Sequence, residues 1–594
     1  MKQNEPLNPE RRSSWQLWLG AAVALAVIIF GVIGFWKYES AAGREGRPDF
    51  FSVLYHTCQL FIIHTPHLDG TLPWQLHLAR FLGACLFFAA AITAFLKVFR
   101  DELLFLRLWL PWRRGHVVIC GLGDLGLRLA VDGRLRRKFI VDIEKHGKQA
   151  SFEQARKAGV LLLAGDACDT ALLRKARVGR AEFIVAACDD DQTNVAVASL
   201  VGQFVAPDSR REAPLICRLL IRDPKVRQLL NKETIFPGVG IDYRINFSDL
   251  NPDDTASRQA LRLFPLDFIP VRENDETIVH LIILGFGSIG QSFALHAARM
   301  VHLANEVDKG KRLRITIVDR DPKNGWIDFQ SRYGALSKVC DADFTAGHPD
   351  DPGFIASMVA FCPPPGSQDE LVTYAICYDD DQINLRLGLE LSKAPADFPV
   401  QVLIHQTMRC GFAALFPKEG HGSGLGPRVH AFGMREDIFT WDILLRESED
   451  VLAQALHEDF REKREKEGKP DAENPGWDKL SEEFKDSNRQ AADHIPVKLR
   501  ALGYHEEILR SDKQRIMGFT DNELLLLAKM EHARWCAERW LAGWIFGPVT
   551  DRPRKISRYL KEWNKLLPEE QKKDFEQIRA IPNVLYRARR GIYR

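Results

Sequence analysis

The stretch HVVICGLGDLG, His116–Gly126, runs an apolar strand into three glycines at Gly121, Gly123 and Gly126 and then into a helical segment. A lone GxGxxG is a weak signal. Here it follows a β-run directly, and a second strand within KFIVDIE ends at Asp142, 21 positions after Gly121. In that arrangement the glycines let the backbone approach a pyrophosphate at a helix N-terminus, and an acid binds the ribose hydroxyls. The acid also disfavours a 2′-phosphate. The competing reading of the glycines is tight strand-to-helix packing alone.

Working outward, GVLLLAGDACDTALLRKARV supplies a third strand ending at Gly165-Asp166, AEFIVAACDDDQTNVAVA a fourth strand and helix, and PLICRLLIRDPKVRQLL a fifth. Strands alternating with helices at this spacing imply a parallel sheet covered on both faces. The order then repeats. HLIILGFGSIG carries Gly285, Gly287 and Gly290; LRITIVDRD carries Asp319; VTYAICYDDDQINLRLGLEL and PVQVLIHQTMRCGFAALF complete the copy. IVDIE matches IVDRD and CDDDQTN matches YDDDQIN, so the middle of the chain is a tandem duplication over 115–270 and 276–445. The second copy shows no GD turn near Ala342-Asp343. The acidic runs Asp189–Asp191 and Asp379–Asp381 either place negative charge at a helix N-terminus or hold a divalent cation. No metal site is assigned.

Both copies resemble the nucleotide-binding lobes of regulator of potassium conductance (RCK) domains, the group that includes the bacterial Trk uptake regulators. The resemblance implies lobes that pair into rings beneath a pore and take NAD(H) or another adenine nucleotide as a regulatory ligand. It assigns Gly121, Gly123, Gly126, Asp142, Gly165 and Asp166 to the first site and Gly285, Gly287, Gly290 and Asp319 to the second.

Ahead of the lobes, after a tail over 1–14, Trp15 to Trp36 is uncharged and apolar with a tryptophan at each end, as a spanning helix requires. A second apolar run, Phe81 to Leu96, sits within a span over 78–98 flanked by Arg80 and Lys97, whose stems reach the interfaces. Arg11, Arg12, Lys97, Arg100, Arg107, Arg113 and Arg114 outweigh Lys37, Arg44, Arg47 and Arg80 between the spans, which favours cytosolic termini and domains at the inner (plasma) membrane. Residues 99–114 form the linker. Between the spans, 50–68 has the length of a re-entrant segment. Span, re-entrant segment, span resembles the two-helix pore module of potassium channels. Its most specific part departs: Ile62-Ile63-His64-Thr65-Pro66-His67 stands where a TVGYG filter would be. His64, Thr65 and His67 either line a pore of other selectivity or are polar residues at an outer interface.

Beyond 445 the sequence turns charged and helical. MEHARWCAERWLAGWIFGPVTDRPRK with WNKLLPEEQKKDFEQIRAIPNVL resembles the Ryr repeat of ryanodine receptors over 518–590, with His532, a GWxxGP turn at Gly543–Pro548 and an IP pair. A partial copy spans 446–505: Trp477, Leu480 and Ile495-Pro496 precede Trp563, Leu566 and Ile581-Pro582 by 86 residues. His532, Arg534 and Trp544 are the ligand candidates, with packing of a small helical core as the alternative.

The expected fold is therefore a membrane α-helical hairpin plus α/β: two tandem Rossmann-like parallel-sheet domains followed by small all-α units. Across 594 residues the formal net charge is +2, which offers no electrostatic footprint for nucleic acid. Eleven cysteines without a CxxC pair indicate neither zinc nor a disulfide framework. The expected function is a nucleotide-sensing, channel-like homotetramer in the lipid bilayer, without enzyme activity, in which DELLFLRLWLPWRR couples the lobes to the second span. The alternative is a nucleotide-responsive stress or defence effector without a selective pore. A third reading is a membrane-anchored oxidoreductase, although no second domain with a positioned acid or base stands out.

Overall fold

The structure, a computed structural model, describes residues 9–41, 49–62, 68, 71–112, 114–205, 214–223, 225–227, 245–321, 323, 325–362, 369–393, 400–408, 429–445, 448–468 and 475–594, with the side chains of 9–17 and 308 excepted. It divides into two compact units, Met1–Arg113 and Arg114–Arg594.

In the first unit two helices are long and apolar enough to cross a membrane, over Trp18–Ala41 and Trp74–Val98. The helices themselves, Pro9–Ala41 and Trp74–Val98, extend past the apolar runs 15–36 and 78–98 into flanking residues. A short helix, Phe50–Gln59, is capped by Asp49, whose carboxylate accepts from Ser52 N at 2.9 Å. Three glycines admit it and the second span to close contact. A Cβ on Gly31 would lie 2.6 Å from Thr57 Cγ2, one on Gly34 2.8 Å from Leu76 N, and one on Gly83 2.7 Å from Leu60 O. Backbone approach of this kind is how helices pack where lipid supplies no hydrophobic drive. Val27, Phe35, Val53, Leu60, Leu76 and Ala79 form the small core. His64, Thr65 and His67 lie outside the described residues.

The second unit holds two six-stranded, all-parallel sheets. The first has order β3-β2-β1-β4-β5-β6, with β1 His116–Cys120, β2 Ile140–Glu144, β3 Leu161–Ala164, β4 Ala181–Ala186, β5 Leu215–Leu220 and β6 Ile245–Leu250. The second has order β12-β11-β10-β7-β8-β9, with β7 Ile278–Leu284, β8 Arg314–Asp319, β9 Asp341–Ala346, β10 Glu370–Ile376, β11 Val400–His405 and β12 Val429–Phe432. Central strands are buried along nearly their whole length, as sheets covered on both faces require. Each sheet reverses its strand order between the glycine-bearing first strand and the fourth, where ligand crevices form in open α/β sheets.

The lobes exchange elements. The crossover helix Pro252–Leu263, capped by Asn251, packs on the second lobe's helix Ser288–Met300. In return, Trp441, fully buried, packs over Gly133 of the first lobe's helix Asp124–Leu135 and edge-on to Phe183 at 5.9 Å. Arg136 forks onto Asp442 at 2.9 and 2.7 Å.

After the lobes come the helices Val451–Lys466, Glu482–Asp493, Ile495–Ala501, Asp521–Leu541 and Pro568–Arg587, and a two-stranded pair, His505–Ile508 with Arg590–Tyr593. The turns Trp477–Lys479 and Trp563–Lys565 each precede a helix, starting at Glu482 and Pro568, so the internal repeat is a structural one. The segments 446–505 and 518–590 are nonetheless one body. Lys498 Nζ reaches Glu531 at 2.5 Å, both fully buried, and one apolar core continues from the second lobe through both segments. This body grips the crossover helix: Arg258 bonds Asp450 at 2.7 Å and Asp493 at 2.6 Å.

Candidate functional site

The carboxyl end of the first sheet carries the first glycine turn. Gly121 has φ +108°, and a Cβ there would lie 2.5 Å from Ala187 O; a Cβ on Gly126 would collide with Gly121 O. These two glycines are demanded by the fold. Gly123 is different: it is exposed, and the nearest atom to a Cβ would be Asp189 Oδ1 at 4.0 Å. The space that a side chain would fill is open, at the N-terminus of Asp124–Leu135, where main-chain amides favour an anion. The packing reading of the motif thus holds for Gly121 and Gly126 and does not account for Gly123.

The acid facing this turn is Glu144, not Asp142. Gly121 N donates to Ile143 O at 2.9 Å, so β2 runs two residues past Asp142 and Glu144 stands beside the turn. Glu144 accepts from Leu122 N at 2.5 Å and His146 N at 2.8 Å, and each oxygen retains a second lone pair for a ribose hydroxyl. Asp142 is fully buried inside the lobe, and neither carboxylate oxygen has a partner among the described residues. Burial, then the nearby Glu144, raises its carboxyl well above the usual range. In the second lobe Gly285 N donates to Val318 O at 2.9 Å, and Asp319 accepts from Phe286 N at 2.7 Å. Asp319 is therefore the counterpart of Glu144, and Ile317 that of Asp142. The IVDIE–IVDRD match is out of register by two residues.

The third strands correspond as well. Gly165 N donates to Glu144 O and Gly347 N to Asp319 O, each at 3.0 Å, so Gly347-His348 stands where Gly165-Asp166 does. Ala342-Asp343 belongs to the beginning of β9, which is why no turn is found there. Asp166 accepts from Cys168 N at 2.9 Å and Lys145 Nζ at 3.0 Å, and these bonds, in that order, hold its carboxyl below the ordinary range. In the second lobe Arg320 pairs with His348 at 2.8 Å.

The acidic runs divide their work. Asp190 and Asp380 cap the following helices, accepting from Thr193 N and Gln382 N at 2.7 Å each. Asp191 accepts from Asp223 N at 2.8 Å and Asp381 from Thr407 Oγ1 at 2.7 Å. Asp189 and Asp379 face the middle glycines. Sequence reading passed over the fully buried Asn194 and Asn384. Asn194 Nδ2 donates to Cys188 O at 3.0 Å and Leu220 O at 2.9 Å; Asn384 Nδ2 donates to Tyr378 O at 2.7 Å and His405 O at 3.1 Å. They tie the fourth strand to the fifth in each lobe, and the shared DQTN and DQIN were their signal.

The second turn is more enclosed. Gly287 is half-buried, Phe286 is 1% exposed, and Phe286 packs edge-on against Trp326 and Phe329 at 6.0 and 5.3 Å. Gly325, at φ +134°, comes so near that a Cβ would lie 2.9 Å from Phe286 O. Gly290 is required, like Gly126, to clear Gly285 O.

Two of the three candidates in the helical body are structural. His532 is buried, with Nε2 2.8 Å from Lys561 O and Nδ1 3.4 Å from Asp574. Burial opposes its charge, but the Asp574 and Cys536 contacts prevail and push it up to about 10. Arg534 is 2% exposed and bonds Glu531 and Glu538 at 2.7 Å each. With Lys498 these form an interior ion network that engages Arg534, while His532 is engaged by Lys561 O and Asp574. Trp544 remains half-buried at the surface, with Arg539 stacked 5.0 Å from its ring and 5.8 Å from that of Trp535.

Residues 117–232 match the TrkA-N domain family. No curated protein has a matching sequence. Solved structures similar to this chain include the GsuK channel, at 16% identity and TM-score 0.34 over 73% of this chain and 98% of that one. The GsuK channel bound to NAD aligns at 14% and 0.32 over 67% and 78%, and GsuK bound to ADP at 16% and 0.32 over 66% and 89%. At these values the likeness bears on neither ligand nor function.

Proposed function

We propose that the chain is a nucleotide-responsive membrane regulator whose first lobe binds NAD(H) or another adenine nucleotide and thereby shifts the arrangement of the lobes. The reading rests on one observation: within the stretch matching the TrkA-N family, Gly123 leaves an unfilled cradle at a helix N-terminus beside Glu144. The phosphates take the N-terminal amides of Asp124–Leu135, and Glu144 takes the ribose. Ligand acts only through unequal affinity for two lobe arrangements, since equal affinity shifts nothing. The movement passes through Asp101–Arg114 to the second span of a homotetramer whose lobes lie in the cytosol, and it gates ion movement. The chain acts by binding, not by catalysis. A Ryr-type role for the helical body, with Trp544 as its ligand-facing aromatic, belongs to the same proposal.

One feature favours the second reading, an effector without a selective pore: the segment following Phe50–Gln59 lacks the glycines of a carbonyl filter. Titration of the detergent-solubilised full chain with NAD and ADP tests the nucleotide site, and measurable heat is expected. Ion flux in liposomes with and without the nucleotide separates the two readings; nucleotide-dependent flux supports the channel, and binding without flux supports the effector.

A further inference from the structure

A cavity of about 290 Å³ lies between the lobes, and its walls bring together matching positions of the two copies: Leu220 with His405, Arg222 with Thr407, Asp253 with Arg435. The equivalence is written in the main chain. Asn194 bonds Leu220 O as Asn384 bonds His405 O, and Ile221 N donates to Leu250 O as Gln406 N does to Phe432 O. Of the two glycine turns, only the first, at Gly123, lines this cavity.

Matching contacts here carry different chemistry. At the start of the second lobe's helix, Ser288 Oγ donates to Asp253 of the crossover helix. At the equivalent place in the first lobe, the guanidinium of Arg435 pairs with Asp124. The second lobe thus holds a cation against the first residue of Asp124–Leu135, the helix end at which the phosphate is placed. His405 lines the same cavity, and its Nδ1 is buried with no partner among the described residues. Asp124, Asp189 and Asp253 are the acids there, and burial raises the Asp253 carboxyl.

We propose that Arg435 of the second lobe is a phosphate contact of the first lobe's nucleotide, leaving Asp124 for the ligand when the site fills. This rests on the nucleotide reading above and adds to it a route: occupancy of one lobe rearranges its ion pair with the other. Asp124 is then a competitor for the guanidinium, and the exchange replaces one carboxylate by a phosphate in a charge-assisted, fork-shaped contact.

Titration calorimetry with ADP and with NAD on the full chain in detergent tests it, with three variants. Arg435→Gln is expected to weaken binding by about tenfold or more. Asp124→Asn, which removes the competitor, is expected to tighten it. Arg136→Gln, which breaks another ion pair between the lobes at the far end of the same helix, is expected to leave affinity unchanged. Wild-type affinity in Arg435→Gln overturns the proposal while leaving the nucleotide site standing. Equal weakening in Arg136→Gln also overturns it, by showing that lobe docking alone is being read. No heat with wild type overturns both this proposal and the reading beneath it.

Discussion

The two lobes share a strand order, a glycine turn, an acidic cap and a buried asparagine, yet differ where a ligand would enter. In the first lobe Gly123 is exposed and opens on the cavity between the lobes; in the second, Gly287 is half-buried and Gly325 closes on the turn beside Phe286. Duplication has therefore kept the glycines that the strand–helix junction needs in both copies. A Cβ at the middle position would meet only Asp189 Oδ1 at 4.0 Å on Gly123 and only Asp379 Oδ1 at 3.7 Å on Gly287, so the copies differ there in exposure and in opening on the cavity, not in local clearance. A motif match alone does not separate the glycines that the fold demands from the middle one that it does not; the surroundings of each Cβ do.

The comparison breaks most visibly at the fold glycines. Gly126→Ala and Gly290→Ala each force a Cβ into a main-chain carbonyl and should cost on the order of 3 kcal/mol, equally in both lobes. Thermal unfolding reads this, and a mild effect at either position would show that the junction yields. At the middle position the lobes should part: Gly123→Val weakens ADP or NAD binding by more than tenfold without lowering the melting temperature, whereas Gly287→Val leaves binding intact.

Asp142 sharpens the contrast inside the sheets, since Ile317 stands at the equivalent place in the second lobe. A buried carboxyl raised in the folded state is favourable while protonated. Its contribution is whole below the unfolded value of about 3.9 and is lost as pH rises toward the folded one, at up to about 1.4 kcal/mol per pH unit. Asp142→Ile or Asp142→Asn should therefore stabilise the chain by about 1 kcal/mol or more at pH 8 and by little at pH 3.5. Equal effects at both pH values would mean that folding does not raise the carboxyl. The smallest effect belongs to Asp189→Asn: removing the acid nearest Gly123 should tighten ADP binding a few-fold, whereas a loss of affinity would assign Asp189 a direct ligand contact.

Much of this was legible. Apolar strands ending at glycines and followed by helices, repeated with DDDQ in both copies, carry enough local pattern to announce two parallel sheets. Register was not legible, because a short apolar strand looks the same whether it stops at Asp142 or at Glu144, and identity between IVDIE and IVDRD pulls the alignment toward the wrong acid. Only the bonds of Gly121 and Gly285 decide it. The fate of Arg534 was likewise hidden: its partners Glu531 and Glu538 are local, but Lys498 comes from another helix and converts a helix-surface pattern into an interior network. The pairing of Arg435 with Asp124 joins positions 311 residues apart, which no local spacing foretells.

Nucleotide stoichiometry of the full chain tests the difference between the lobes most directly. Calorimetry with ADP or NAD should find one molecule per chain, lost in Gly123→Val and retained in Gly287→Val. Two molecules per chain, or one that survives Gly123→Val, would contradict the assignment of the open first turn as the site.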